Sequence, residues 1–405
     1  MSLKHLFEER VVFSNENRSI TSTQQLNWTI STGSDNSFYC LYESYLVLDC
    51  TITGLTAAND NGAARLICCG QPAGLVANCK ATYTYIDPSG SLQTLDIQGE
   101  NENIGMYRTV IDQLFTSKRV HNQDGGYLEM PYLNESKADN IDAGAGVYRI
   151  FKNEIVVDTM ANAATSATFR IKIPYRNFLP CANVQSFINL KQLEVSMKLL
   201  DAADFFKKMF KAGDGTTAVG NFNANNIKIN KCSLHNHVWI GDESAINPEL
   251  RELTDVTIST KSFDITNGSK RFDNNIIINH PVKYLIMYLT DKNNTHSSIK
   301  EFNPKYMRVG VSGGGQTSVT NFEGANGPDD ALYDMTSYCV NTAREESLLT
   351  HESWKNRMKY IVYPLSEMLS QKASNIFELN IIPQAATGFG DVRLHCVFIK
   401  DSSSA

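Results

Sequence analysis

Apolar and polar residues alternate along many short stretches of the chain. In Glu43–Gly54, for example, Leu46, Leu48, Cys50 and Ile52 fall on one face of an extended backbone and the residues between them on the other. A period of two over a short run is typical of a β-strand. The same pattern predicts a hairpin in Lys80–Ile97, a strand pair in Val147–Met160, and strands in Phe169–Ile173, Leu190–Leu200, Ile227–Ile240, Thr254–Phe263, Phe272–Ile278, Val282–Leu289, Met307–Val311 and between Tyr360 and Ile399.

Helical spacing of apolar residues is less frequent. It predicts a helix in Asn101–Phe115 and a second in Asp330–Tyr338. Glu243–Leu253 predicts a third helix, which Asn247-Pro248 interrupts. Strands and helices do not alternate regularly, and turns rich in Gly, Pro and Asn separate the strands. This pattern predicts an all-β fold of sandwiches or barrels.

A short motif occurs twice. FRIKIPYRNFL (Phe169–Leu179) has a counterpart in YIVYPLSEML (Tyr360–Leu369), and Pro364 follows Pro174 by 190 positions (364 minus 174). Each copy is an alternating run that stops at a proline, and an apolar strand-like run follows. A repeat of nearly half the chain length predicts one domain made twice, unless the short motif matches by chance.

Changes in composition divide the chain. Residues 1–38 are rich in Ser, Thr and Asn, which predicts an extended N-terminal arm. Residues 213–226 (GDGTTAVGNFNANN) have the composition of a linker. We therefore expect a first jelly roll over residues 39–212 and a second over 227–405. Long connections within each half favour this wiring over a meander. The predicted fold class is all-β, with two tandem jelly-roll β-sandwiches and a few short helices.

Composition and charge narrow the classes of function. The 405 residues suffice for two domains, and their 42% hydrophobic and 20% charged content is typical of soluble globular proteins. The formal net charge of −6 argues against a surface devoted to nucleic acid. No apolar run approaches the roughly 20 residues of a membrane span, and the N-terminus lacks the apolar core of a secretory signal. Nine scattered cysteines without a CxxC motif predict reduced thiols inside a cell.

Asp201–Lys211 combines apolar aromatic residues with three lysines. One interpretation is a basic amphipathic helix at a membrane surface. The favoured interpretation is a short connecting helix that packs on its own domain.

One pair of histidines has the spacing of metal ligands. His235 and His237 would point to the same side of a strand, and Asp242 and Glu243 follow closely. The other histidines are dispersed, so the set of ligands is incomplete. We expect no metal site here.

Other residues with reactive side chains also favour structural roles. Gly313–Gly315 predicts a tight turn, because no GK[ST] sequence follows. Asp329–Asp330 and Glu345–Glu346 are acid pairs of the kind that glycosidases use, but adjacent acids more often lie on a solvated face. Cys68–Cys69 are expected to be buried rather than reactive. We therefore predict no catalytic, cofactor-binding or metal site, no cofactor and no enzymatic activity.

The order and spacing of several stretches resemble the double jelly-roll major capsid proteins of double-stranded DNA viruses, and in particular the smaller members in the virophage and Polinton-like group. The resemblance covers most of the chain from about Glu43 onward. The stretches that carry it are Glu43–Gly54, Asn101–Phe115, Phe169–Pro180, Leu190–Leu200, Ile227–Ile240, His280–Leu289, Tyr360–Ser366 and Phe377–Ile399.

This resemblance implies a structural subunit of a virus particle. In that family three subunits form a trimer that occupies a pseudo-hexagonal place in an icosahedral shell. The expected partners are two further copies, neighbouring capsomers, penton and minor capsid proteins and an internal membrane, without sequence-specific binding of nucleic acid. The expected location is the virion capsid, assembled inside the host cell and not secreted.

Two other functions stay open at this point. A glycan-binding β-sandwich protein, such as a lectin or a viral attachment protein, requires an exposed aromatic pocket around Trp239 or Trp354. A glycoside hydrolase requires two carboxylates that face each other across a cleft. The third tryptophan, Trp28, and these two are far apart in the sequence. Core packing or anchoring of an interface is the favoured role for all three.

Overall fold

A computed structural model describes residues 6–14, 25–32, 37–54, 62–68, 72–97, 104–115, 154–160, 166–182, 186–210, 223–241, 243–253, 258–292, 299–300, 302–323, 329–343, 351, 354 and 360–400. The chain divides into two compact units. Unit 1 comprises Met1–Asp112 and Ile141–Asp255, and unit 2 comprises Gln113–Asn140 and Val256–Ala405.

Unit 1 contains two antiparallel four-stranded sheets and a smaller three-stranded sheet. Its strands are β1 (Leu6–Phe13), β2 (Leu26–Ser31), β3 (Ser37–Thr53), β4 (Gly62–Cys68), β5 (Val76–Ile86), β6 (Leu92–Ile97), β7 (Glu154–Met160), β8 (Ser166–Pro174), β9 (Asn189–Leu199), β10 (Phe206–Phe210) and β11 (Ile227–Ile240). Sheet 1A has the order β1-β11-β3-β8, sheet 1B the order β2-β9-β5-β6, and the third sheet the order β10-β4-β7.

Unit 2 contains two sheets of the same kind. Its strands are β12 (Ile258–Ile265), β13 (Phe272–Ile278), β14 (Val282–Asp291), β15 (Ile299–Lys300), β16 (Pro304–Gly313), β17 (Gln316–Glu323), β18 (Ile361–Pro364), β19 (Asn375–Pro383) and β20 (Val392–Lys400). Sheet 2A has the order β12-β20-β14, and both β15 and β18 pair with β14. Sheet 2B has the order β13-β19-β16-β17.

The two units have the same strand topology once β4, β7, β10 and β15 are set aside. In each, the first, eighth, third and sixth of the eight remaining strands form one sheet, and the second, seventh, fourth and fifth form the other. This order of two four-stranded Greek-key sheets is a jelly roll. The predicted fold class, two tandem jelly rolls, is therefore confirmed.

Alternation of buried and exposed side chains follows the period that the sequence predicted. In β8, Ala167, Phe169, Ile171 and Ile173 are buried, and the residues between them are exposed. In unit 2 the Phe377 ring of sheet 2B lies 4.8 Å from the Phe398 ring of sheet 2A, measured between centroids. Each core thus forms between the inward faces of two sheets. Burial of apolar surface there stabilises the fold by about 25 cal/mol per Å².

Two helices occupy equivalent connections. Helix α1 (Ile104–Phe115) lies between the fifth and sixth strands of unit 1, and α3 (Asp329–Ala343) lies between the fifth and sixth strands of unit 2. The described residues also contain two single-turn helices, α2 (Ala202–Phe205) and α4 (Glu367–Ser370). Helix α1 approaches the backbone of Pro72–Leu75 so closely that a Cβ on Gly105 would lie 1.7 Å from the Ala73 carbonyl oxygen. Glycine is therefore required at this position.

The prediction of an N-terminal arm was wrong for the described residues of 1–38. Strand β1 pairs with β11 from Leu6 opposite Ile240 to Phe13 opposite Ser233. Strand β2 buries Leu26, Trp28 and Ile30 in sheet 1B. These are the first and second strands of jelly roll 1. Their partners lie more than a hundred residues away in the chain, so local composition alone could not reveal them.

The predicted domain boundary was also wrong. Residues 213–222 of the predicted linker lie outside the described residues, and Asn223–Asn226 form a short turn before β11. Strand β11 pairs with β1 and β3 and is the eighth strand of jelly roll 1. Unit 1 therefore continues to Asp255. The second jelly roll begins with β12, not at residue 227.

The stretch Asp201–Lys211 does not form one amphipathic helix. Ala202–Phe205 makes a single turn, and Phe206–Phe210 is a strand that pairs with β4. Phe205 and Phe206 are both buried, although they are adjacent. The interpretation as a membrane-surface helix was therefore wrong, and the favoured connecting helix is limited to the single turn Ala202–Phe205. Among the described residues, no helix is long and apolar enough to cross a membrane.

Candidate interaction surface

Both metal-ligand candidates of β11 lie on the outer face of sheet 1A, the face opposite the buried one. Tyr45 of β3 is directly opposite His235, and the two rings stack with centroids 4.9 Å apart. Glu9 of β1 accepts a hydrogen bond from the Tyr45 hydroxyl, and its Oε1 lies 3.0 Å from His235 Nδ1. His237 meets the edge of the Tyr45 ring at 5.8 Å. The two histidines thus belong to a hydrogen-bonded and stacked cluster.

The described candidates do not assemble a metal site. Across the part of the chain that the structure describes, no group of three or more His, Cys, Asp or Glu side chains is arranged to hold a metal ion. Glu243 forms an ion pair with Arg251. Asp242 lies outside the described residues.

The cluster shifts the pKa values of its members. The hydrogen bond from Tyr45 lowers the pKa of Glu9, with a smaller contribution from His235 and an opposing one from burial. Burial, reinforced by the hydrogen bond to Glu9, raises the pKa of Tyr45 to about 12. Burial also lowers the pKa of Lys172, against the charge of Glu9. Glu9 is therefore a carboxylate and Tyr45 a neutral phenol at neutral pH.

Basic side chains and aromatic rings alternate across the same surface. Lys172 Nζ lies 3.7 Å from the centroid of the Tyr45 ring, and Lys231 Nζ lies 3.9 Å from that of Phe13. Arg170 pairs with Asp49 at 2.7 Å. We call this surface the basic face; its exposed cationic residues are Arg170, Lys172, Lys228 and Lys231.

The basic face also exposes apolar side chains. Val11 is 40% exposed and Phe13 49% exposed, and both lie on β1, an edge strand of sheet 1A. Large apolar residues that remain accessible beside cations are typical of contact surfaces. The sign of the charge on this face is opposite to the formal net charge of the chain, which is −6.

The corresponding face of sheet 2A differs. Tyr288 of β14 stacks on His395 of β20 with ring centroids 4.9 Å apart, as Tyr45 stacks on His235 between the same two strands of unit 1. Here, however, Tyr288 and His395 are buried, and Thr290 Oγ1 lies 2.8 Å from His395 Nε2. The stacked Tyr–His pair is therefore partly accessible in unit 1 and buried in unit 2.

An acidic surface lies on helix α3 of unit 2. Asp330, Asp334 and Tyr338 follow at intervals of four residues and are all exposed, so they form one stripe along the helix. The opposite side of α3 is fixed to β18, because Thr336 Oγ1 accepts a hydrogen bond of 3.1 Å from the Val362 amide. We call Asp330, Asp334 and Tyr338 the acidic stripe.

Acid pairs and glycines predicted from the sequence have structural roles where they are described. Asp329 and Asp330 lie in the first turn of α3, where carboxylates stabilise the helix N-terminus. Glu345–Glu346 lie outside the described residues. Gly314 and Gly315 have positive φ angles of 54° and 81° in the turn between β16 and β17. The tight-turn prediction for Gly313–Gly315 is confirmed.

The described tryptophans and seven of the cysteines are buried. Trp28, Trp239 and Trp354 are at most 6% exposed, so neither Trp239 nor Trp354 lines the open aromatic pocket that a glycan-binding function requires. Seven free cysteines are buried. Burial raises the pKa of Cys40, Cys79 and Cys339 to about 12, which keeps these thiols protonated and poorly nucleophilic. Cys68 lies in β4, and Cys69 lies outside the described residues.

No family model and no curated protein matches the sequence. Solved structures do match. A chain in the cryo-EM structure of the Sputnik virophage aligns with 99% of this chain and 87% of its own length, at 13% sequence identity and a TM-score of 0.59. The chain is a double jelly roll. The resemblance predicted from the order of the sequence stretches is thus confirmed for the fold.

Two further structures align over similar lengths. The mavirus major capsid protein covers 96% of this chain and 86% of its own, at 8% identity and a TM-score of 0.48. A chain of the PBCV-1 virus capsid covers 100% of this chain and 96% of its own, at 9% identity and a TM-score of 0.46.

Sequence patterns contain part of the signal for the two surfaces. Arg170 and Lys172 alternate with buried residues in β8, and the acidic stripe has helical spacing, so both are visible in the sequence. The proximity of Lys172 to Tyr45 and of Lys231 to Phe13 depends on which strands pair. That pairing joins residues more than a hundred positions apart, and the sequence stretches taken singly do not contain it.

Proposed function

We propose that this protein is the major capsid protein of a virus, a structural subunit that self-assembles into an icosahedral shell. One observation carries the proposal: the chain consists of two jelly rolls in tandem, and nearly its whole length shares the fold of a chain in the Sputnik virophage structure. Function does not follow from fold alone.

Assembly is the mechanism that this architecture supports. A jelly roll is a rigid sandwich, because its two sheets pack through interdigitated side chains. Two such sandwiches in one chain present twice the number of lateral surfaces. Three copies would place six sandwiches around a threefold axis, which is the pseudo-hexagonal unit that tiles an icosahedral lattice. We therefore propose a homotrimer as the capsomer.

A non-enzymatic role is part of the same proposal. Burial raises the pKa of Cys40, Cys79 and Cys339, which keeps them neutral thiols. Asp329 and Asp330 belong to a helix N-terminus. His235 stacks on Tyr45 and contacts Glu9, and His237 meets the edge of the Tyr45 ring, so both histidines belong to a structural cluster.

The proposed location is the virion, with assembly inside the host cell. Neighbouring capsomers, penton and minor capsid proteins and an internal membrane are the proposed partners. Sequence-specific recognition of nucleic acid is not part of the proposal, since the chain is acidic overall with a formal net charge of −6.

Negative-stain electron microscopy of the purified full chain tests this function. The proposal predicts uniform particles of threefold symmetry with a pseudo-hexagonal outline, and their ordered association into sheets or shells at high protein concentration. A field of single two-lobed particles at all concentrations would contradict it. A glycan-binding screen on the same preparation serves as the control for the alternative function, and it should give no specific signal.

A further inference from the structure

On the basic face of unit 1, Lys172 and Lys231 form no ion pair within the part of the chain that the structure describes. Arg170 is paired with Asp49, and Glu9 is engaged by Tyr45 and His235. Lys172 and Lys231 instead extend over the Tyr45 and Phe13 rings. Their side chains are thereby held in fixed positions, which reduces the entropy lost when a partner binds.

The acidic stripe on α3 has the complementary chemistry. Asp330 lies at the start of the helix, where a carboxylate serves the helix itself. Asp334 is one turn further on, and Tyr338 two turns further on with 65% exposure. Neither position contributes to the side of α3 that packs on β18. Tyrosine is enriched at protein–protein interfaces, so the exposed Tyr338 suits a contact surface.

We propose that the basic face of one copy of this protein binds the acidic stripe of a second copy. Charge complementarity selects this occupant: each copy carries both surfaces, and both are exposed in the single chain. Copies with a net charge of −6 repel one another at long range, and local regions of opposite charge offset this repulsion.

A contact between two different surfaces of identical copies has a defined consequence for assembly. Such a contact is heterologous, and it produces a closed ring when the rotation between copies closes. The inference therefore rests on the proposed function and supplies the contact that would join the copies of a cyclic trimer. It also predicts that the interface weakens as ionic strength rises.

A charge-swap experiment tests the inference in the full chain. The first variant combines Lys172→Glu with Lys231→Glu, the second combines Asp330→Lys with Asp334→Lys, and the third carries all four changes. Association is followed by analytical ultracentrifugation over a range of concentrations, and circular dichroism with thermal unfolding checks the fold of each variant. We expect the first and second variants to associate about 100-fold more weakly than the wild type, since each creates like-charge contacts. The third variant should recover most of the wild-type association.

The matched control is Lys80→Glu with Lys198→Glu. Both lysines are exposed on sheet 1B of the same jelly roll, so the control makes the same change in net charge at a different surface. It should associate like the wild type. If a reversed variant does not fold, Lys172→Gln with Lys231→Gln replaces it, and the same loss of association is expected together with a weaker dependence on salt.

The outcomes separate this inference from the proposed function. A wild-type protein that stays monomeric contradicts the proposed function. A wild-type trimer that the first variant does not weaken beyond the control contradicts only this inference. Loss of association in both two-site variants without recovery in the third shows that the two surfaces do not bind each other, and also contradicts it. The wild type and the first variant are also tested for binding to a labelled single-stranded oligonucleotide. If the wild type binds it and the first variant does not, while the trimer of that variant stays intact, the basic face binds a polyanion and the inference is overturned.

Discussion

Pro174 ends strand β8 directly opposite Tyr45 of β3. Pro364 ends β18 directly opposite Tyr284 of β14, which is the equivalent pair of strands in unit 2. In both units a helical turn follows the proline, at Tyr175–Asn177 and at α4. A proline has no amide N–H for the ladder, so it suits the end of an edge strand. The motif that occurs twice in the sequence thus marks one place in a duplicated fold.

One aligned pair of residues in the two copies of the motif gives a first prediction. Phe178 and Met368 align in sequence, but Phe178 is fully buried and Met368 is 60% exposed. We expect Phe178→Ala to lower the free energy of unfolding by about 3–5 kcal/mol through the cavity it leaves. Met368→Ala should change it by less than about 0.5 kcal/mol. Urea denaturation of both variants measures the difference, and equal losses would mean that the two positions are packed alike.

Hydrogen exchange tests the assignment of β1 to the sheet. Strand β1 pairs with β11 along its whole length, and beyond it the Ser14 amide donates a hydrogen bond of 3.1 Å to the Cys232 carbonyl. Because β1 is an edge strand, alternate amides within residues 6–13 should exchange slowly and the others quickly. Residue-resolved exchange by NMR or fragment mass spectrometry reads this pattern. Uniformly fast exchange in these residues would show that they do not pair with β11 and would support the extended arm predicted from composition.

Glycine 105 provides a packing test. A Cβ there would lie 1.7 Å from the Ala73 carbonyl oxygen and 3.0 Å from that of Val76. Gly105→Ala must therefore displace α1 from the backbone it packs on, and we expect a loss of about 1–3 kcal/mol in the free energy of unfolding. Gly390→Ala is the matched control, since a Cβ at Gly390 meets no atom within 4 Å. Thermal unfolding measures the Tm of both variants against the wild type. An unchanged Tm for Gly105→Ala would show that α1 does not pack closely on the backbone of Pro72–Leu75.

Asp87 should titrate at an unusually low pH. Hydrogen bonds from the Ser89 hydroxyl, the Ser91 amide and the Gln93 side chain lower the pKa of Asp87 from 3.8 to about 2. Since the pKa is depressed in the folded state, the resulting stability is present above pH 3.8 and is lost as the pH falls from about 4 towards 2. NMR titration of the carboxyl carbon should give a midpoint near 2. Ser89→Ala should raise that midpoint, and a wild-type midpoint near 3.8 would contradict the hydrogen-bonded turn.

Local patterns were sufficient for most individual elements. Strand β3 and helix α1 each bury one side against a core. Apolar residues therefore recur with a period of two in β3 and with helical spacing in α1, and both periods can be read from the sequence. The turn Asp87-Pro-Ser-Gly90 was likewise identified by its residue types, and Gly90 adopts a positive φ of 83°. Elements that bury one face against a core are therefore predictable.

Pairing between distant strands was not predictable in the same way. Leu6 lies opposite Ile240, and this pairing decides that β1 and β11 belong to the first jelly roll. Ser, Thr and Asn around β2 concealed the alternation of Leu26, Trp28 and Ile30, and helical spacing in the stretch with Phe205 and Phe206 was misleading because β10 pairs with β4. In each case contacts with distant residues outweighed local preference.

The mass of the purified protein in solution tests the central claim most directly. Sedimentation equilibrium from low micromolar concentration upward should give a species of three times the 45.1 kDa chain mass, which persists on dilution. Such a species is what a capsid subunit built from two jelly rolls requires. A single species of 45.1 kDa at every concentration would contradict the proposal that this chain is a self-assembling capsid protein.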